Sequence, residues 1–269
     1  GITLPTALFM QQFNIAVAAM ILSSFFLIEK EKDGWAAFFI VLGTFVKLYG
    51  IVGLAFFLFS RHKLRLLMWL TIWSVVLFCA PMLISSPSYV VGQYHEWFTC
   101  LVEKNAENLG SIQQNISLLG LVRRTTGCMN YSDLWLILPG MALFALPYLR
   151  FSQYKNLAFR ETILASVLLF VILFSTGSEA SGYVIALLGV CIWYTAVPWK
   201  RGKWAIALMV FVFLLSGMGS SDIFPKFIRE AYIKQYALRA LPISILWLWL
   251  CYELCTKDYT PIEKVDADE

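Results

Sequence analysis

The chain has 269 residues, 59% of them apolar and only 14% charged, with ten tryptophans and a formal net charge of +4. Soluble domains carry about 45–50% apolar and about 25% charged residues. An ordinary soluble domain is therefore excluded, and an all-α, polytopic membrane protein with the lipid bilayer as a partner is expected. The positive charge is small and scattered, which leaves no basis for a nucleic-acid partner.

The sequence opens at Gly1 without an initiator methionine and turns apolar almost at once, so a further N-terminal part is expected ahead of it. No cleavable signal pattern is visible. Apolar stretches long enough to cross a bilayer, or nearly so, run over 13–28, 35–60, 66–84, 134–148, 162–174, 183–197, 204–218 and 241–254. Several fall short of about twenty residues, as happens where helices tilt or the bilayer thins.

The stretch 35–60 differs from the rest. It spans 26 residues with one charge, Lys47, near its centre. An ionisable group at that depth is expensive in lipid and marks a site, a pathway or a break in the helix. Two readings of Lys47 stay open, a structural lysine that snorkels and one that touches a ligand. As one straight helix the stretch would be about 39 Å long, against a hydrocarbon core of about 30 Å. Gly50 follows the charge, and the alternative is a hairpin of two short helices that enters and leaves on one face.

Basic residues choose between these readings, because short cytoplasmic loops carry an excess of Lys and Arg. With a hairpin, the cytoplasmic segments 29–33, 61–66, 150–160, 198–203 and 256–269 hold 13 of the 21 basic residues. The outer segments 85–133, 175–182 and 219–240 hold 7 in many more positions. A straight crossing would place 11 outside and 9 inside. The hairpin is therefore expected, with about seven full crossings. Residues 1–255 form the membrane-embedded domain, and 256–269 form a short, acidic cytoplasmic tail expected to be disordered.

Two outer segments read as helices lying on the membrane surface, 94–109 with Trp97, Phe98, Leu101 and Val102 on one side, and 222–238. Cys100 and Cys128 share one outer segment and have the option of pairing in an oxidising compartment. Cys251 and Cys255 lack nearby His or carboxylate partners, so no metal site is expected, and no cofactor is called for.

Polar side chains collect on the outer side of this arrangement. Gln11, Gln12 and Asn14 stand at the end of the first helix, and Lys47 and Tyr49 at the hairpin tip. The long outer segment adds Gln113, Gln114, Asn115, Ser117, Arg123 and Arg124, and the next adds Ser175, Ser178, Glu179, Ser181 and Tyr183. Amides and hydroxyls both donate and accept, which suits sugar hydroxyls. Arginine meets phosphate as a bidentate fork and lysine as a point charge. The set fits a lipid-phosphate-sugar ligand. The bland alternatives are helix caps for the amides, headgroup anchors for the arginines and a solvated loop charge for Glu179.

In this order the residues resemble glycosyltransferase family 87. Gln12-Phe13-Asn14 looks like that family's Gly-Gln-x-Asn signature, and Lys47-Leu48-Tyr49 like its Lys-x-Tyr-Pro step. Asn115-Ile116-Ser117-Leu118-Leu119-Gly120, followed by Arg123-Arg124, is similar to its Asn-Gln-Ser-Leu-x-Gly segment. Ser175-Thr176-Gly177-Ser178 ahead of Tyr183 resembles its Ser-Pro-x-Ser motif. The departures are Gln11 for glycine, Gly50 for proline, and no histidine before Tyr183.

The resemblance implies a GT-C-like fold with an outward-facing active site, and a bacterial plasma membrane. It implies transfer of a sugar, usually mannose, from a polyprenyl-phosphate carrier to a hydroxyl of a glycan or glycolipid acceptor. It further implies that Lys47, Arg123 and Arg124 meet the donor phosphate. Gln12, Asn14, Tyr49, Gln114, Asn115, Ser117, Ser178 and Tyr183 would hold the sugar or shape the cleft. The family's acidic general base would fall ahead of Gly1, which leaves Glu179 as the candidate catalytic carboxylate in this chain. Two rival classes remain. A transporter or flippase would carry paired repeats with broken helices in matching positions, and a non-catalytic membrane scaffold would lack a catalytic carboxylate altogether.

Overall fold

The computed structural model describes residues 12–261, and among them every regular element is helical. Helix α1 (Asn14–Glu29) leads into α2 (Asp33–Val46), which breaks at Lys47. Lys47 is extended, with φ −155° and ψ 130°. The chain then returns as a 12-residue 3-10 helix, Leu48–Phe59. At about 1.5 Å per residue α2 is about 21 Å long, and at about 2.0 Å per residue the return arm is about 24 Å. The matched lengths bring the end of the hairpin back beside its start, where the Ser60 hydroxyl donates to Asp33 Oδ1 at 3.1 Å. The expected hairpin is what forms.

The sequence of the return arm explains its unusual geometry. In a 3-10 helix residues three apart share a face, and here that face is Gly50, Gly53, Phe56 and Phe59, the first three of them buried. A Cβ on Gly50 would lie 2.2 Å from the Gly43 carbonyl carbon, so the arms meet backbone to backbone near the tip. Phe56 then fills the space lower down, edge-on to Phe25 of α1 at 5.2 Å.

Helix α3 (Lys63–Cys79) runs on through a 3-10 turn at Ala80–Leu83. It is followed by α4 (Pro87–Gly110), α5 (Leu118–Thr126) and α6 (Leu134–Ala145), the last extended over Leu146–Leu149. Then come α7 (Leu157–Leu173), α8 (Tyr183–Thr195), and α9 (Lys203–Phe211) with a π-helical turn over Val212–Gly217. A short helical stretch, Lys226–Ile228 and Arg229–Lys234, precedes α10 (Ala240–Thr256). The core centres on α7, whose residues from Ile163 to Leu169 are all buried. It packs against α1, α8, α10 and the return arm. Apolar side chains enclose its length beyond Glu161, which is why that part of α7 reads as apolar all round rather than striped.

Every apolar stretch of the sequence falls on a helix, but the helices are short. Among the described residues one, Lys63–Leu83, is long and apolar enough by itself to cross a membrane, at 21 residues. Seven others are apolar but shorter, so length alone does not establish seven crossings. The surface helix expected over 94–109 is longer, starting at Pro87 with the Ser86 side chain as its cap. The six cysteines are free, Cys100 and Cys128 included.

The tail also departs from expectation up to Pro261. Tyr259 is fully buried against Phe159 and Trp199, and its backbone N–H donates to Gln153 Oε1 at 3.0 Å. Gln153 in turn donates to Asp258, and Arg150 donates to the Leu254 and Lys257 carbonyls at 2.7 Å each. An aromatic anchor and satisfied carbonyls hold this segment, which a reading of its charge alone misses. The rest of the tail, 262–269, lies outside the described residues, as does Gln11.

Candidate functional site

The site forms where three elements end together: the start of α1, the hairpin tip and the loop between α7 and α8. The break at Lys47 frees its side chain from the helix and aims it at α1. Its ammonium donates to Asn14 Oδ1 at 2.7 Å and lies 4.0 Å from Glu179 Oε1. The Tyr49 ring lies beneath it, 4.6 Å to the centroid. The costly lysine is thus placed at a tip and given an amide, a carboxylate and a π face as partners.

Asn14 is the hub. Its Nδ2 donates to Gln12 Oε1 at 2.7 Å and to Ser181 Oγ at 3.2 Å, and the Ser181 hydroxyl also donates to Gln12 Oε1. On the far side Gln114 Nε2 donates to Glu179 Oε2 at 3.5 Å, and Tyr49 shares a 3.0 Å hydrogen bond with Ser175. The side chains of Lys47 and Glu179 keep 29% and 22% of their surface exposed. A ligand can therefore reach both the cation and the carboxylate.

Behind this open face stands a closed frame. Ser117 caps α5, accepting from the Gly120 N–H at 3.1 Å and donating to Asn115 Oδ1 at 2.7 Å. Asn115 sits at φ +53°, and a Cβ on Gly120 would lie 1.8 Å from its carbonyl oxygen, so only glycine fits there. The Asn115 and Ile116 N–H groups donate to the Thr176 and Ser178 carbonyls at 2.9 Å, fastening this loop to the Glu179 loop. Ser178 Oγ donates to the Ile172 carbonyl, and Tyr183 OH to the Ile116 carbonyl at 2.8 Å. Asn115, Ser117, Ser178 and Tyr183 are fully buried. They hold the loops in place and do not face a cleft.

The arginines are elsewhere. Arg123 is 1% exposed, and its guanidinium donates to Asp133 Oδ1 at 2.9 and 3.0 Å and to the Met129 and Tyr131 carbonyls. Burial pushes the Asp133 carboxyl above its ordinary range, and Arg123 pulls it back. Arg124 donates to the carbonyls of Ser111, Gln114 and Lys234, stitching three segments together. The geometry lends no support to the expectation that these two meet a donor phosphate, because most of their N–H groups are committed to protein acceptors. Lys47 is the accessible cation of the cluster.

Arg239 carries weight that sequence reasoning missed. Arg239 lies over the Tyr183 ring at 4.6 Å and donates twice to the Ser216 carbonyl in the π-turn, bracing the frame from α10. Its only signal in sequence was a basic residue just ahead of an apolar run. Among the described residues no group of three His, Cys, Asp or Glu side chains converges as metal ligands would.

The sequence profile of glycosyltransferase family 87 matches residues 3–176, more than half of the chain. The match takes in Gln12, Asn14, Lys47, Tyr49 and the Asn115 loop, and stops just short of Glu179. No curated protein and no solved structure matches the chain.

Proposed function

The chain belongs to glycosyltransferase family 87, and from that premise we propose that it moves a hexose, mannose by preference, from a polyprenyl-phosphate carrier to a hydroxyl of a glycan or glycolipid. The observation that carries this reading is the partly exposed Lys47 ammonium at the tip of a hairpin, pinned by Asn14 and facing Glu179. A fixed cation suits a departing phosphate, because charge placed in advance where charge develops lowers the barrier. A carboxylate beside it suits removal of a proton from the attacking hydroxyl.

In this proposal the acceptor oxygen attacks the anomeric carbon, its proton passes to Glu179, and the carbon–oxygen bond to the lipid phosphate breaks. The pair of electrons leaves with the phosphate, whose new charge rests against Lys47. Gln12, Asn14, Gln114 and Tyr49 orient the sugar and the two charged groups. The leaving group is already a phosphate ester, so no nucleotide-binding loop is required.

The same proposal sets the protein in a membrane, of a bacterial cell by family analogy. Seven helices cross, the hairpin enters from the cytoplasmic face, the cluster opens outward and 256–269 lie in the cytoplasm. Support comes from the placement of lysine and arginine and from the apolar exterior: Trp135, Trp204 and Leu64 are 79%, 70% and 84% exposed. In water such a surface would drive association. Against lipid it is at rest.

The test is transfer of label from polyprenyl-phosphate-mannose in isolated membranes, run beside Lys47→Met. Label appearing in a new product, and lost in the variant, is the expected result. No transfer from this donor or its glucosyl and arabinosyl analogues overturns the assignment of the donor.

A further inference from the structure

The second charged concavity lies at the opposite end of α1. This helix begins at Asn14 in the site and ends at Glu29, about 24 Å away at 1.5 Å per residue. Beside Glu29, under the base of the hairpin, is a cleft of about 440 Å³. Arg61, Lys63, Lys155 and Arg160 line it, and Glu29 is the one carboxylate among its lining residues.

The charges are not equally free. Arg160 is cancelled by Glu29 through two hydrogen bonds of 2.7 and 2.6 Å. Arg61 is paired with Glu31 at 2.7 Å. Lys63 bonds only a carbonyl, that of Ser60 at 3.1 Å, and Lys155 has no ion pair among the described residues. Among the described residues, two ammonium groups therefore face one cleft without an ion-pair partner. The rest of its wall is Ser60, the Tyr154 ring and an apolar strip of Ile28, Leu58 and Phe59, and Leu58 continues onto the exposed exterior.

We propose that this cleft binds the phosphate of an anionic phospholipid, with Lys63 and Lys155 on the phosphate and Leu58 and Phe59 against the start of the acyl chains. Basic pockets between helices at a membrane face take anionic headgroups for this reason. A free phosphate ion would satisfy the lysines but would leave the apolar wall unused. The inference rests on the membrane reading above and not on the transfer reaction. The site lies at the far end of the bundle from the Lys47 cluster, where an occupant held by Lys63 and Lys155 would tie the hairpin base to the segment leading into α7.

The experiment is native mass spectrometry of the detergent-purified protein, titrated with phosphatidylglycerol and phosphatidylcholine in competition. Wild type is expected to retain phosphatidylglycerol preferentially. At roughly a factor of five per lysine, Lys63→Gln with Lys155→Gln should weaken it about thirtyfold. Lys226→Gln, outside the cleft, serves as the matched control and should leave it unchanged. If the double variant folds poorly, Lys155→Gln alone, on an exposed residue, should still show about a fivefold loss. Equal retention of the two lipids, or undiminished binding by the variants, overturns the proposal. Displacement of the lipid by inorganic phosphate at low millimolar concentration overturns the lipid assignment in favour of a free anion. No sugar donor enters the assay, so its outcome is independent of whether transfer occurs.

Discussion

Lys47 and Asn14 are 33 residues apart, yet their side chains meet at 2.7 Å and join the hairpin tip to the first helix. The contact exists because α2 stops at Lys47 instead of continuing. A lysine inside a continuous helix at that position would have pointed across the bundle or onto its apolar exterior. The break turns a costly charge into an accessible one with fixed direction.

Lys47→Met should lower transfer by about 10²–10³ in kcat, the usual loss on removing one preorganised charge from a reacting centre. Asn14→Ala should act through the same group, since the ammonium loses its anchor, and the pair of changes should cost little more than Lys47→Met alone. Steady-state kinetics with a labelled lipid donor reads both. A fully additive double variant would separate Asn14 from Lys47.

Glu179→Gln keeps the hydrogen bond from Gln114 but removes the proton acceptor. If Glu179 is the base, kcat should fall by about 10²–10⁴ while the donor KM stays near wild type. A fall in donor affinity with kcat unchanged would instead make Glu179 a positioning residue for Lys47.

Arg123 and Asp133 form a pair with side-chain exposures of 2% and 17%. Arg123→Ala strands a partly buried carboxylate and the Met129 and Tyr131 carbonyls, and should destabilise the protein by about 2–4 kcal/mol. The prediction that separates this from phosphate binding concerns Asp133→Ala, which should destabilise comparably although it removes no cation. Thermal unfolding of both variants in detergent is the measurement.

Gly50→Ala should open the hairpin tip, because the added carbon would lie 2.2 Å and 2.4 Å from backbone atoms of Gly43 and Thr44. Backbone cannot rotate aside as a side chain can, so a loss of about 1–3 kcal/mol or more is expected. Activity should fall further than stability, since Lys47 is three residues away. Unchanged activity in a destabilised Gly50→Ala protein would show that the tip geometry is not critical.

The C-terminal clasp carries a pH signature. Hydrogen bonds from the Thr260 N–H and hydroxyl, and from Gln153, hold the Asp258 carboxyl below its ordinary value. A carboxyl lowered in the folded state contributes stability above its unfolded pKa of about 3.9, lost as pH falls through the folded value. The segment should therefore resist limited proteolysis at neutral pH and become cleavable only well into the acid range. Tyr259→Ala should release it at neutral pH, because the buried ring is the anchor.

The positions of the helices were legible in the sequence because burial in a helical bundle demands apolar runs, and each run became a helix. The hairpin was legible too. A charge, a glycine and the distribution of lysine and arginine all marked 35–60 as folded back, and the Gly50, Gly53, Phe56 spacing suits the 3-10 arm that results. The grouping of Gln12, Asn14, Lys47, Tyr49, Gln114 and Glu179 followed from placing each at one end of its segment.

What the tertiary structure alone decided is which of the polar residues stay available. Arg123 finds its carboxylate ten residues on, and Arg124 spends three donors on carbonyls from two separate segments. Asn14 meets Ser181 across 167 residues. A side chain's type states what it can bond, but whether its donors are already taken depends on acceptors, mostly backbone carbonyls, that every residue carries and only the folded chain brings within reach.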